Sequence, residues 1–517
     1  MQDRHVVSDQ GEVLAFLGDP RSHGLTEPVR RIDTHGAVVF LAGENAYKVK
    51  RAVRYPFMDF STLERRRAAC EAEIAVNRPN APHIYLGAVP ITRTDSGLAI
   101  AAGPGPVIEW AVHMHRFDET KTLDRLAEAG GLSASLLDDL VAVVLAAHRR
   151  APLRAGEGAV ASLERYIAQN EEAFAETPAL FAPERAEALT RAARGTFARV
   201  RPLLLARGEA GHVRRCHGDL HLRNVVLVDG RPTLFDAIEF DDAIATGDLL
   251  YDLAFLLMDL WERGLAVEAN VVLNRYLFRS GEEAHLEGLA ALPLFLSIRA
   301  GIRAKVVAAA LPHLPPEEQA TGTRDAQRYF RLAEECLASV PPLLVAVGGL
   351  SGTGKSTLAA GLAPRVGRLP GAVHLRSDSE RKAMFSVAET EPLPEEAYAL
   401  TITAEVYARL RRKAALALAA GQGVVVDAVH ARADERAAIE EVARRAGAGF
   451  HGLWLEAPLP ALVARIEGRA RDASDATPAV VSRQAARDIG PMRWRVVDAR
   501  GDAETVLSAA LDALRLT

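Results

Sequence analysis

Two stretches of the chain combine residue types at spacings suited to handling phosphate. The more specific is Gly349-Leu350-Ser351-Gly352-Thr353-Gly354-Lys355-Ser356, which fits G-x-x-x-x-G-K-[ST] at every position. It follows the apolar run LLVAVGGL and opens the helical run TLAAGLA, the context this motif requires. Glycines let the backbone curl until its N–H groups point inward, and the start of a helix adds its positive end. Gly349, Ser351, Gly352, Thr353, Gly354 and Thr357 are the candidate cradle, Lys355 the cation reaching the β/γ-phosphates during transfer, and Ser356 a Mg²⁺ ligand. The competing reading is a glycine-rich βα turn. Asp427 ends the apolar strand VVV, where a carboxylate can join the metal shell. Asp378 ends HLRSD, where it can take the proton of an acceptor hydroxyl; a helix N-cap is the alternative. Arg465, Arg469 and Arg471 in ARIEGRARD are candidates to close over the γ-phosphate, or are a solvated basic helix end.

The second stretch, His217-Gly218-Asp219-Leu220-His221-Leu222-Arg223-Asn224, reads H-x-D-x-x-x-x-N. A hairpin pattern, NVVLVDGRPTLFD, follows and delivers Asp236, 17 residues after Asp219. Asp219 suits the orientation and deprotonation of a hydroxyl, and Asn224 and Asp236 suit Mg²⁺ on the phosphates of ATP. His217 is expected to brace the loop. Lys48 and Lys50 lie on one face of the strand NAYKVK, because strand side chains alternate. One of them is expected to hold the α/β-phosphates and pair with a helix glutamate, Glu71 first and Glu73 second. VIEWAVHMHRF is expected to connect a small β-rich lobe to a helical one, with the backbone of Glu109–Ala111 as the adenine edge. His113 and His115 fit surface residues better than a metal pair, for want of a third ligand.

These residues need elements to hold them. Residues 30 to about 110 show short β-rich runs interrupted by the helical STLERRRAACEAEIAVNR, and residues 131 to 340 are mostly helical. Pro341-Pro342 then stops a helix and marks a joint. Beyond it strands and helices alternate through LLVAVGG, AVHLRSD, GVVVDAV, FHGLWLEA and RWRVVDA, the pattern of a parallel sheet with helices on its faces.

Composition sets outer limits. The chain has 517 residues, 49% hydrophobic and 25% charged, which suits several folded domains and excludes fibres and disorder. The 62 Lys+Arg against 67 Asp+Glu leave a net charge of −5, which speaks against a protein that coats nucleic acid. Three distant cysteines, Cys70, Cys216 and Cys336, exclude a disulfide framework and fit a reducing compartment. No signal-like segment or run of 18 apolar residues is seen, so a soluble cytoplasmic protein is expected.

From about residue 343 to 517 the chain resembles small P-loop kinases of the gluconate-kinase, shikimate-kinase and polynucleotide-kinase type, through GLSGTGKST, RSD, VVVDA and the arginine segment. The resemblance implies a five-stranded parallel sheet and transfer of phosphate from ATP to a hydroxyl. Residues 30 to about 335 resemble the aminoglycoside-phosphotransferase and choline-kinase family through HGDLHLRN, LFDAIEFDD and GDLLYDLAFLL. That resemblance implies a protein-kinase-like bilobal fold, with Asp248 and Asp252 supporting the metal site. There is no G-x-G-x-x-G loop, D-A-I stands where protein kinases have D-F-G, and A-P-E is missing, so small-molecule acceptors are expected over proteins. Arg299, Arg303 and Lys305 in LSIRAGIRAKVV either bind an anionic substrate or face water.

The expected architecture is therefore an α+β bilobal kinase-like domain over 1–340, with a small lobe at about 30–110 and a helical lobe at 111–340. An α/β P-loop domain with a parallel sheet flanked by helices follows over 341–517. The expected function is a bifunctional ATP- and Mg²⁺-dependent kinase with two separate sites acting on small hydroxylated metabolites, such as a sugar, an aminocyclitol or a nucleoside-like compound. Two other readings stand beside it: a nucleic-acid 5′-hydroxyl kinase whose first half binds the strand, disfavoured by 6% aromatics, and an ATP-sensing regulator with one degenerate site. The sequence names no substrate and no oligomeric state.

Overall fold

The computed structural model describes residues 6–34, 36–55, 58–101, 105–468 and 473–514. Arg469 and Arg471 lie outside the described residues. The chain forms two compact units, Met1–Leu163 with Leu205–Asp259, and Glu164–Leu204 with Leu260–Thr517. Among the described residues no helix is long and apolar enough to cross a membrane.

The first unit is built on a six-stranded antiparallel sheet. Its strands are β1 (Arg30–Asp33), β2 (Ala37–Ala42), β3 (Asn45–Lys50), β4 (Tyr85–Thr94), β5 (Gly97–Ile100) and β6 (Val107–His115), in the order β1-β2-β3-β6-β4-β5. Alternation along the strands sorts side chains onto two apolar faces. Val38, Phe40, Tyr47 and Val49 pack with Val13 and Leu17 on one side, and Leu41, Ala46 and Val112 pack with Cys70 on the other. Cys70 belongs to α1 (Leu63–Asn77), which starts where the Thr62 side chain accepts from the Arg65 N–H. Lys48 and Lys50 share the parity of Ala46, so the sheet aims both lysines at α1. Strand β6 holds most of VIEWAVHMHRF, is the last strand of this sheet and leads on into the helical part. Ala111 is opposite both Val49 of β3 and Val89 of β4, whereas Glu109 and Trp110 are paired only with β4.

After the helical part of this unit, Leu222–Asn224 make one 3₁₀ turn and lead into a hairpin of β7 (Val225–Val228) and β8 (Arg231–Leu234). Its two-residue turn, Asp229-Gly230, has φ of 49° and 75°, the geometry that matches the twist of tight hairpins. Val225 sits opposite Leu234, and the Phe235 N–H donates to the Asn224 carbonyl at 3.0 Å. The hairpin thereby returns the chain to its starting point and sets Asp236 beside Asn224. Helix α2 (Leu249–Glu262) runs beneath the loop.

The second unit contains α3 (Ala266–Ser280), the packed pair α4 (Leu292–Ala310) and α5 (Pro316–Leu337), and a five-stranded parallel sheet. The sheet strands are β9 (Leu343–Gly349), β10 (Val373–Arg376), β11 (Val424–Asp427), β12 (Gly449–Glu456) and β13 (Arg495–Asp498), in the order β10-β11-β9-β12-β13. These are the five apolar runs read from the sequence. Pro341-Pro342 lie between α5 and β9, inside this unit. Helix α6 (Lys355–Leu362) follows β9, α7 (Ser377–Met384) follows β10, and α8 (Leu459–Glu467) follows β12. Strand β10 is an edge, and its unpaired backbone groups are met by two asparagines one turn apart on α3. Asn270 donates to the carbonyls of Pro370 and Ala372 at 3.1 and 3.0 Å; Asn274 donates to Ala372 O at 3.1 Å and accepts the His374 N–H at 2.7 Å. This is a side-chain solution to the problem of an open sheet edge.

Candidate functional sites

In the first unit Lys48 Nζ lies 2.9 Å from Glu73 Oε1 and 2.6 Å from Asp236 Oδ1. Lys50 Nζ lies 2.5 Å from Glu73 Oε2 and also donates to Glu239. Glu73 is wholly buried, so one carboxylate binds both lysines. The expectation that Glu71 pairs with the lysine is corrected. Glu71 is exposed and bonded to Arg67 at 2.8 Å. Two residues advance a helix by about 200°, so only one of Glu71 and Glu73 can face the sheet. Burial alone would strip Lys48 of its proton, but Asp236 and Glu73 beside it hold its pKa well above the ordinary lysine value. Burial likewise opposes ionisation of Asp236, and Lys48 reverses this and holds the carboxyl below its usual range.

Asp236 has φ of 60°, a region costly for a residue with a β-carbon. Its N–H donates to the Tyr85 hydroxyl at 3.0 Å, and Lys48 holds its carboxylate. Asn224 donates through Nδ2 to the Asp219 carbonyl and to Asp219 Oδ2, at 3.0 and 3.1 Å, which leaves its amide oxygen for a cation. Asp219 remains 37% exposed, open to an acceptor, with His221 Nε2 3.2 Å from Oδ2. His217 is buried, its pKa lowered by that burial, and its Nε2 meets the Phe235 carbonyl at 3.0 Å, so it braces the loop. Asp252 accepts the Gly218 N–H at 2.8 Å and Asp259 accepts the Leu222 N–H at 3.0 Å, so α2 fixes the loop from below. Asp248 instead pairs with Arg207 at 2.7 and 2.8 Å. Glu239, Tyr85 and Asp259 escaped the sequence reading; of these only Glu239 carried a signal, as the acid three residues after Asp236.

In the second unit the loop Gly349–Ser356 joins β9 to α6. Gly349, Gly352 and Gly354 have φ of 141°, 85° and 89°, and a β-carbon at Gly349 would lie 2.8 Å from the Leu455 carbonyl. Thr353 Oγ1 and Lys355 Nζ both donate to the Leu350 carbonyl, at 2.8 and 3.0 Å, and the Ser351 N–H donates to Gln484 at 2.9 Å. Thr357 is exposed on α6. Ser356 Oγ donates to Asp427 Oδ2 at 2.5 Å, bringing both candidate metal ligands together. Asp378 lies in the first turn of α7, whose N-cap position is Arg376, so it is not the N-cap of the alternative reading. Burial and the nearby Asp427 carboxylate raise its pKa, with Lys355 acting the other way. Arg465 donates to the Ala499 carbonyl at 2.8 Å and so is engaged by the chain itself. Arg299 is buried, Arg303 lies 5.6 Å over the Tyr329 ring, and Lys305 Nζ is 3.5 Å from Gln169.

Both candidate metal sets offer oxygen atoms only, Asn224 with Asp236 and Ser356 with Asp427. This donor chemistry suits a hard cation such as Mg²⁺ rather than a soft one.

The phosphotransferase enzyme family matches residues 45–292, and an AAA domain family matches 344–488. The chain is 31% identical over 491 residues to the uncharacterized protein Rv2004c of Mycobacterium tuberculosis, covering 92% of this chain and 94% of the relative. The uncharacterized protein Mb2027c of Mycobacterium bovis matches equally. Among solved structures, a choline/ethanolamine kinase family protein from Mesorhizobium loti aligns at 16% identity and TM-score 0.39, over 63% of this chain and 93% of that one. A gluconokinase from Sinorhizobium meliloti aligns at 21% identity and TM-score 0.24, over 34% of this chain and 92% of that one. The chain thus belongs to the family of these mycobacterial relatives, and is itself a kinase in which a phosphotransferase-family part precedes a P-loop kinase part.

Proposed function

We propose that the chain is a bifunctional ATP- and Mg²⁺-dependent kinase with two separate sites, each transferring the γ-phosphate to a hydroxyl of a small metabolite. The observation that carries this reading is that each unit assembles its own lysine, oxygen-only metal set and carboxylate base from residues of that unit alone. Sugars, aminocyclitols and nucleoside-like compounds are the acceptor classes we expect.

In the first unit Lys48, held by Glu73, is the cation for the nucleotide phosphates. Asp219 receives the acceptor proton, while Asn224 fixes the orientation of its carboxylate. Asn224 and Asp236 would hold Mg²⁺, and Asp252 keeps the loop rigid through Gly218. In the second unit the backbone N–H groups of 349–356 and Lys355 receive phosphate, and Ser356 and Asp427 would hold Mg²⁺. Asp378, with its raised pKa, is poised nearer neutrality to accept a hydroxyl proton. Bound Mg²⁺ would supply charge neutralisation of the phosphate oxygens. The test is a metabolite screen with γ-labelled ATP, comparing wild type with Asp219→Asn and Lys355→Ala. Two acceptors lost separately in the two variants support the reading, and one acceptor lost in both refutes it.

A further inference from the structure

The second unit holds a cavity of about 190 Å³ between α3, β10 and α7. Its wall includes Ser356 but neither Lys355 nor Asp378, so it flanks the phosphate loop without coinciding with the proposed transfer centre. Three of its residues carry buried polar atoms with no hydrogen-bond partner among the described residues: His374 Nε2, Arg376 Nε and Glu380 Oε2. Glu380 is 3% exposed, and only its other oxygen is engaged, by Lys413. Arg376 Nε and His374 Nε2 lie 3.6 and 4.0 Å from Asp427 Oδ2, beyond hydrogen-bond reach.

Such groups are ordinarily matched by protein, water or ligand. A histidine ring nitrogen either donates or accepts, according to the tautomer. Arg376 Nε–H only donates, and Glu380 Oε2 accepts. Hydroxyl groups do both, so adjacent hydroxyls on one carbon chain match all three atoms. An anion would serve Arg376 but meet Glu380 with like charge. Helix α3 adds the apolar Val271, Leu277 and Phe278 beside Asn270, Asn274 and Arg275, so the wall offers both a C–H face and further polar groups to the same molecule. The volume is below the roughly 300–1,000 Å³ of drug-sized pockets, so the ligand is small.

We propose that this cavity is a binding site for a small neutral polyol, walled jointly by α3 and by β10 and α7 of the P-loop sheet. The site does not depend on the phosphotransfer reading, so binding is measured on the full chain without nucleotide. Myo-inositol, ribitol and D-glucose are titrated separately by ligand-observed NMR and calorimetry. At least one is expected to bind once per chain. Glu380→Gln removes the accepting charge, and Ala360→Phe, at an exposed α6 position on the cavity wall, fills the space without disturbing a core. Each is expected to weaken binding at least about tenfold, about 1.4 kcal/mol. Should Glu380→Gln fail to fold, Ala360→Phe decides alone. No binding of any of the three polyols at about 50 mM, a concentration that detects even millimolar affinity, would overturn the proposal. So would binding left unchanged by Ala360→Phe in a folded protein.

Discussion

Replacing Glu73 by Gln keeps the side-chain shape and removes one charge from a buried ion cluster of the first unit. Glu73 is fully buried, and Lys48 and Lys50 are 15% and 2% exposed, so neither lysine recovers full hydration. Removing one partner of a buried ion pair costs about 3–5 kcal/mol. Here Lys48 retains Asp236 and Lys50 retains Glu239, which places the expected loss near the lower bound, about 3 kcal/mol. Glu71→Gln breaks only an exposed i,i+4 pair with Arg67, worth about 0.3–0.5 kcal/mol. The contrast between two glutamates two residues apart is therefore about sixfold or more in free energy. Urea unfolding of the full chain, with hydrogen exchange read over 45–50 and 63–77, measures both. A similar, small loss in the two variants would refute the argument that Glu73 anchors the lysines.

Three further outcomes follow from the geometry. Asp219→Asn, in a Lys355→Ala background, is expected to lower turnover about 10²–10⁴-fold with Mg·ATP affinity nearly intact, whereas Asp236→Asn weakens Mg·ATP and blunts its metal dependence; calorimetry beside a transfer assay separates them. Asn274→Leu leaves the His374 N–H and one bond to the Ala372 carbonyl unmade at the edge of β10, and destabilises the second unit by about 1–3 kcal/mol in urea titration. Burial pushes His430 down to about 3, with both ring nitrogens unpartnered. It is neutral when folded, and the unfolded chain takes up its proton below about pH 6.5. The unfolded state thus binds more protons, so stability falls as pH drops from about 6.5 toward 3, by about 1.4 kcal/mol per pH unit. His430→Phe is expected to lessen the measured slope by that amount, with buried His374 contributing in the same direction in both proteins, and denaturant titrations between pH 7 and 5 read the difference.

Much of this architecture was legible because it is local. Gly349–Ser356 lies between an apolar strand and a helix in sequence as in space, and Asp229-Gly230 announces the hairpin that returns Asp236 to Asn224. The choice between Glu71 and Glu73 depended on helical phase. Cys70 and Ile74 mark the inner face of α1, and Glu73 stands three residues from Cys70, so the signal was present but subtle. VIEWAVHMH has the apolar character of a strand, and its histidines disguised it; His113 is absorbed by Asn45 and by stacking on Tyr47. The match between Asn270, Asn274 and the edge of β10 spans about a hundred residues, and no local pattern reports which strand an asparagine pair will cover. The same holds for Arg465, whose carbonyl partners come from the chain after β13.

The central claim, two independent nucleotide sites in one chain, is tested most directly by the stoichiometry of Mg·ATP binding to the full-length protein in titration calorimetry. The account predicts two equivalents per chain, falling to one in Lys355→Ala, with the remaining site weakened by Asp236→Asn. One equivalent in the wild type, or none in Lys355→Ala, would contradict it.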